Sequence, residues 1–321
     1  MSGPQFSPRR DTQLKAQPQP IPYSPGLETT EENEAEIIEE LVATLRGISE
    51  RMLAETGQAL RSVHAKSHGL LHGEVQVLSS LPPILAQGVF AEPGRRYQAA
   101  IRLSTPPGDI LTDAITLPRG MAIKLLDVEG SQLDRGIADA DQARSQDFVM
   151  VNAPAFQTPG IKQFLANLKL LAKTTNRGEG LKAAASAVFR GVEKVVEAFG
   201  GESAKLKSMG GHPQTHPLGE TFFTVVPLRY GEYVAKLCVR PFATAQMLLR
   251  DAVVDLDSDP DGLRRIVNEY FAAQAAEWEI CVQLCTDLEA MPIEDASVPW
   301  PEERSPYIAV ARLRMPIQPA W

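Results

Sequence analysis

Three of the five histidines of this 321-residue chain fall in one segment, Arg61-Ser62-Val63-His64-Ala65-Lys66-Ser67-His68-Gly69-Leu70-Leu71-His72-Gly73-Glu74. Imidazole offers two kinds of chemistry, metal ligation and proton transfer near neutral pH. Histidines at positions 64, 68 and 72 would share one face of a helix, a pattern that suits a metal. Gly69 and Gly73 interrupt such a helix, and no Asp or Glu falls on the same register, which counts against zinc. On composition alone, His68 and His72 read as ordinary loop histidines. The three cysteines, Cys238, Cys281 and Cys285, are too few and too odd in number for a disulfide framework. Cys281 and Cys285 lie four apart in a run rich in Val, Ile and Leu, which puts both on one face of a strand. They read as buried apolar thiols.

The elements around these residues follow from periodicity. Residues 1–28 carry much Pro, Gln and Ser and few large apolar groups, the composition of a mobile N-terminal arm. Thr29 and Glu32 fit a capping box. Ile37, Ile38, Leu41, Val42, Leu45, Ile48 and Met52 then recur at helical spacing and give one apolar face. Short β-branched and apolar runs follow at 74–81, 97–104, 121–128 and 148–152. Turns such as Glu92-Pro93-Gly94 and Pro106-Pro107-Gly108-Asp109 separate them. Helical periodicity returns at 161–171 and 181–199, and a Gly/His/Pro-rich loop covers 209–219. Strands are predicted at 221–227, 233–240, 278–286 and 307–315. A helix is predicted at about 263–276, with Asp259 as N-cap and Pro260 at its first position. That makes about eight strands in two groups of four, joined by connections short enough for antiparallel neighbours. Eight such strands can close into a filled barrel or form an open sandwich, and periodicity does not separate the two. Residues 29–321 read as one domain.

Apolar residues make up 44% of the chain, enough for a sizeable core, and the net charge is −8. The acidic balance argues against a broad nucleic-acid or membrane-surface footprint. No apolar run approaches the ~18 residues of a membrane span. Arg9-Arg10 is not followed by the apolar stretch of an export signal. A cytoplasmic location is the expectation.

Arg61-x-x-His64-Ala65-Lys66 resembles the pattern that presents the distal histidine in the haem catalases. Further matches follow in the family's order. Phe90-Ala91-Glu92-Pro93-Gly94 is similar to F-A-x-P-G, and Ile101-Arg102-Leu103-Ser104-Thr105 to V-R-F-S-T. Pro118-Arg119-Gly120-Met121-Ala122-Ile123-Lys124 is similar to P-R-G-F-A-V-K. Asp147-Phe148-Val149-Met150-Val151-Asn152-Ala153-Pro154-Ala155-Phe156 is similar to D-L-V-G-N-N-T-P-V-F. Val298-Pro299-Trp300-Pro301 and the run from Ser305 to Leu313 resemble the segment feeding the last barrel strand. The likeness runs from about residue 55 to 316 and is greatest to the compact catalase-like haem proteins.

The resemblance implies an α+β fold, an eight-stranded antiparallel β-barrel with surrounding and inserted helices. It implies haem b as cofactor and haem-dependent breakdown of hydrogen peroxide or an organic hydroperoxide. His64 and Asn152 take the catalytic positions. A neutral imidazole can accept and return a proton, and an amide can hydrogen-bond a bound peroxide without titrating. Ser104 matches the residue that orients the distal imidazole. Arg61 and Arg102 match positions that pair with haem propionates. Val63, Phe156 and Phe164 match apolar residues at the haem face. A small-molecule peroxide is the expected partner. The N-terminal arm is of the kind catalases exchange between subunits, which leaves a homo-oligomer open.

The family holds its iron through a tyrosinate in an R-x-x-x-Y arrangement after the last barrel strand. Here Pro316-Ile317-Gln318-Pro319-Ala320-Trp321 follow that strand, and Arg304-x-x-Tyr307 has another spacing, so no residue is assigned to the iron. Three explanations fit: a longer natural chain, a haem-deficient relative, or another ligand such as a histidine of the 212–216 loop. Two rival functions follow. One is a haem-free barrel serving as a binding or assembly module. The other is lipid-hydroperoxide rearrangement, against which Val63 counts, since relatives of that kind place Thr there.

Overall fold

A computed structural model describes residues 19–130, 144–174, 214–256 and 258–321. The helix predicted at 181–199 and most of the 209–219 loop lie outside the described residues. The long first helix is α1 (Glu34–Thr56), and α2 (Ile161–Thr174) packs against it. Lys162–Glu31 and Lys169–Glu40 ion pairs, each 2.5 Å, tie the α2 side to the α1 side. The strands are β1 (Ser67–Val77), β2 (Arg96–Ser104), β3 (Gly120–Leu126), β4 (Ser145–Val151), β5 (Phe222–Phe223), β6 (Leu228–Tyr230), β7 (Tyr233–Pro241), β8 (Ala276–Leu284) and β9 (Ile308–Met315). A single turn, α3 (Thr244–Met247), and the helix α4 (Gly262–Ala273) lie between β7 and β8.

All pairings are antiparallel, in the order β5-β4-β3-β2-β1-β9-β8-β7, and a β5–β7 pairing closes the ring. Eight strands therefore form a closed barrel. The ninth, β6, is a hairpin partner of β7 outside the ring. Closure settles the choice that periodicity left open: this is a barrel, not a sandwich.

The barrel is filled. Leu71, Val75, Ile101, Leu103, Met121, Ile123, Leu125, Phe222, Leu237, Val239, Trp278, Ile280, Leu313 and Met315 belong to one buried cluster. They alternate along each strand with residues of the other face, as the pleat requires. Arg102 and Ser104 alternate with Ile101 and Leu103, and Gly120 precedes Met121. These positions therefore face outward, and the chemistry-bearing residues sit on the outside of the barrel wall.

Several local expectations are corrected. The first strand begins at Ser67 rather than 74, because Gly73 is a site of close backbone approach and not a breaker. A Cβ on Gly73 would collide with the Arg314 carbonyl and would sit 2.6 Å from the Met315 sulfur. The Thr29/Glu32 capping box does not form. The N-cap of α1 is Asn33 in the left-handed conformation, and the Thr29 N–H donates to Glu294 Oε1 at 2.8 Å. Asp259 does not cap α4. It pairs with Arg265 at 2.8 Å, and Asp113, far away in sequence, accepts the Leu263 N–H at 2.9 Å. Residues 19–28 lie along the body, with the Ile21 N–H donating to the Cys285 carbonyl and the Tyr23 N–H to the Glu232 carbonyl. Ile38 and Val42 are about half exposed, so the apolar face of α1 is covered mainly toward Ile48 and Met52. Among the described residues no helix is long and apolar enough to cross a membrane.

Candidate active site

His64 sits just before β1, in a segment clamped onto the Pro106-Pro107-Gly108 turn. Its N–H donates to the Pro106 carbonyl at 2.7 Å, and the Ala65 N–H to the Pro107 carbonyl at 3.1 Å. Gly108 has to lack a Cβ because one would run into the Ser62 carbonyl. His64 itself has φ +52°, a left-handed conformation unfavourable for a non-glycine residue. The Arg102 guanidinium helps hold it there, donating to the carbonyls of His64 (2.8 Å) and Ala65 (3.2 Å). Lys66 anchors the far end. Its ammonium is buried, pairs with Asp113 at 2.8 Å and Asp261 at 3.2 Å, and donates to the Leu111 carbonyl at 2.7 Å and to the Pro260 carbonyl.

The imidazole is fixed by the barrel wall. Nδ1 lies 3.0 Å from Ser104 Oγ. Ser104 and Gly120 are register partners on β2 and β3, and Gly120 is in register with Val151 of β4, the residue before Asn152. A Cβ on Gly120 would sit 2.6 Å from Cε1 and 2.7 Å from Nδ1 of His64, so the ring occupies the space that glycine leaves. With the proton on Nδ1 donated to Ser104, the Nε2 lone pair stays open, and among the described residues Nε2 has no protein partner. Burial holds the imidazole pKa down to about 4, with the Arg102 and Arg61 charges adding to it. The ring is therefore neutral at ordinary pH and able to accept a proton.

The Gly120→Ala substitution tests this packing. It is expected to displace the His64 ring, to cost about 1–3 kcal/mol of stability and to lower any His64-dependent turnover at least tenfold. Urea unfolding and steady-state rates measure the two. Unchanged rates would place the ring elsewhere.

Asn152 is brought to the same end of the wall, but its amide is engaged. Oδ1 accepts the Arg119 N–H at 2.9 Å, and Nδ2 donates to Glu220 Oε2 at 3.0 Å. Glu220 also pairs with Arg119 and accepts from the Thr215 hydroxyl at 2.6 Å, while Arg119 donates to Gln214 Oε1 at 2.9 Å. Glu220 went unseen in the sequence, since no motif contains it. Arg119 stood inside a quoted motif with no role attached. Phe156 and Phe164 meet with ring centroids 5.4 Å apart. Val63 is half-buried beside His64, and Arg61 is exposed. His68 and His72 lie on β1 and share no helical face with His64. His68 is buried against Thr105, and His72 is exposed.

Comparison with known proteins places the fold. No family model and no curated protein matches the sequence. Solved structures do. Catalase A from Saccharomyces cerevisiae superposes with TM-score 0.56 at 15% identity, over 94% of this chain and 58% of that one. A fungal catalase gives 0.55 at 16% identity (94% and 56%), and a bacterial catalase 0.53 at 17% identity (93% and 55%). The chain has a catalase-like fold. At these identities the likeness establishes architecture only, and the chain spans a little over half the length of the catalases it matches.

The sequence's resemblance to the haem catalases implies haem, and the site can be tested for one. Haem brings two carboxylates, a flat apolar ring and an iron that needs an axial ligand. Burial and the Arg61 charge lower the Arg102 pKa, burial and both guanidiniums lower that of His64, and neither arginine pairs with a carboxylate among the described residues. Two unneutralised guanidiniums beside a neutral imidazole fit a dianionic ligand edge. Val63, Phe156 and Phe164 are only partly buried and offer apolar surface. Among the described residues Tyr230, Tyr307 and His216 are otherwise engaged or protonated. The Tyr307 phenol packs edge-on against Phe223, and burial pushes its pKa, like that of Tyr230, upward, away from the phenolate an iron would take. His216 uses Nδ1 to accept the Leu218 N–H at 3.2 Å. Among the described residues, the Arg61 and Arg102 guanidiniums suit the carboxylates of a haem, and no tyrosinate is offered to its iron.

Proposed function

We propose that this chain acts in haem-dependent peroxide breakdown, with His64 as the acid–base group. The observation that carries the reading is the seated, neutral imidazole. Its Nδ1 is held by Ser104, its ring fills the space above Gly120, and its Nε2 is open. When bound, haem supplies the iron centre at which the peroxide is reduced. The chain's part is to hold the ligand by its carboxylates at Arg61 and Arg102, to face its ring with Val63, Phe156 and Phe164, and to move one proton. Nε2 of His64 takes the proton from the inner peroxide oxygen and returns it to the outer one, while Ser104 keeps the ring from turning. Asn152 belongs to this site as a polar group held in place by Arg119 and Glu220.

The pH profile tests the reading. A base with pKa about 4 is unprotonated throughout the neutral range and is lost only as pH falls through that value. Oxygen release by the haem-supplied chain is therefore expected to be level from neutral pH down to about one unit above the pKa and to fall steeply below it. An inflection near 6.5, the ordinary histidine value, would mean that the group in charge is not a desolvated His64.

A second reading has its own observation. The Tyr307 phenol, kept protonated by burial against Phe223, favours a catalase-like barrel that binds no haem and serves as a binding or assembly module. Haem content separates the two.

A further inference from the structure

Outside the site, the outer face of β7 and β8 carries a ladder of register partners: Lys236 with Gln283, Cys238 with Cys281, and Arg240 with Glu279. Ala235, Leu237 and Val239 of β7 and Trp278, Ile280 and Val282 of β8 point into the barrel, so the two cysteines face outward together. The segment after β8 covers this face. Gln283 donates to the carbonyls of Trp300 (3.2 Å) and Ser305 (2.8 Å), and Lys236 donates to the Val298 carbonyl at 3.2 Å. One step along the ladder the cover ends. The Arg240–Glu279 pair at 2.8 Å has its guanidinium 39% exposed. The dithiol thus lies one rung inside a solvent-reached edge.

We propose that Cys238 and Cys281 form a modification site, a dithiol that hydrogen peroxide closes into a cross-strand disulfide. Directly opposed residues of an antiparallel pair have Cα atoms about 4.5–5.5 Å apart. A disulfide accepts Cα separations of about 4.4–6.8 Å, so the register places the two residues within reach of a cross-strand bridge. The roles of the sulfurs follow from their surroundings. A hydrogen bond from the Cys238 thiol lowers the Cys281 pKa against burial, with Arg240 and Arg312 adding to it, while the same bond and burial raise Cys238. Cys281 is the attacking thiolate. Its sulfur bonds to one peroxide oxygen, the O–O bond breaks, and the departing hydroxide takes the former Cys281 proton as water. The Cys238 sulfur then attacks Cys281 Sγ, the S–O bond breaks, and the hydroxide leaves with the Cys238 proton as a second water. Two thiols are oxidised to one disulfide and one peroxide is reduced to two waters. The inference rests on strand register and is independent of the haem reading.

The test uses the folded full chain, with hydrogen peroxide held at constant concentration by continuous addition. Because all three thiols are buried, the chain is then unfolded in excess alkylating agent, which traps the free thiols as they are exposed, and peptides are mapped by mass. The expected result is loss of two of the three alkylatable thiols, a mass lower by two hydrogen atoms and a Cys238–Cys281 cross-link, with Cys285 still alkylated. An unchanged mass, oxygen added without a cross-link, or a bridge that includes Cys285 would each overturn the proposal.

Discussion

The His64→Ala chain, supplied with haem, is expected to lose peroxide turnover by about 10²–10⁴-fold, the usual cost of removing a positioned acid–base group, while its fold stays intact. The two halves of this expectation come from different observations. The rate loss follows from the open Nε2 lone pair, which no neighbour replaces. Lys66 is two residues away but spends its donors on Asp113, Asp261 and two carbonyls. Asn152 is acid–base inert and bonded to Arg119 and Glu220. The intact fold follows from position. His64 stands outside the barrel strands and packs against a glycine, so truncation leaves a void at the surface of the wall and none in the core. Relief of the left-handed backbone at a residue with φ +52° is not gained by alanine, so stability changes little in either direction. Steady-state oxygen release and urea unfolding on the same preparation measure both halves. Wild-type turnover in the variant would remove His64 from the mechanism.

The largest stability effect is expected at Asp113. Its carboxylate and the Lys66 ammonium are 2% and 3% exposed and 2.8 Å apart, and the same carboxylate takes the first-turn N–H of Leu263. Asp113→Ala leaves a buried ammonium whose remaining acidic partner, Asp261, is 65% exposed, and leaves α4 without its long-range cap. Breaking a buried pair from one side costs about 3–5 kcal/mol, and loss of a cap about 1 kcal/mol. A combined loss of about 4–6 kcal/mol in urea unfolding is the expectation. Replacing both partners, as Lys66→Met with Asp113→Leu, is expected to recover much of it, because neither charge is then buried alone. A single variant as stable as wild type would mean that the pair is solvated. The lock matters to the site because it ends two residues from His64 and fixes the segment that carries the imidazole.

Much of this architecture was legible in the residues. The apolar alternation at 97–104, 121–128 and 148–152 marked β2, β3 and β4, and the Pro-Pro-Gly run marked a turn, though not that His64 is clamped onto it. What failed to show were features set by distant partners. Gly69 and Gly73 looked like breakers because the sequence does not reveal that Arg314 and Val267 press on them. Asp259 looked like a cap because the true acceptor, Asp113, lies about 150 residues away. Glu220 carried no signal at all, since its meaning comes only from meeting Asn152 and Arg119 across the end of the wall. The seat above Gly120 was likewise hidden. A glycine inside a strand motif says that something comes close, and only the register of β2 with β3 says that it is His64.

Haem titration of the purified full chain, followed by its Soret absorbance, tests the central claim most directly. The account predicts saturation at one haem per chain, with Arg61→Ala and Arg102→Ala weakening the binding, and oxygen release from hydrogen peroxide by the loaded protein. A folded chain that leaves haem free in solution would contradict it and would make this barrel a catalase-like fold put to another use.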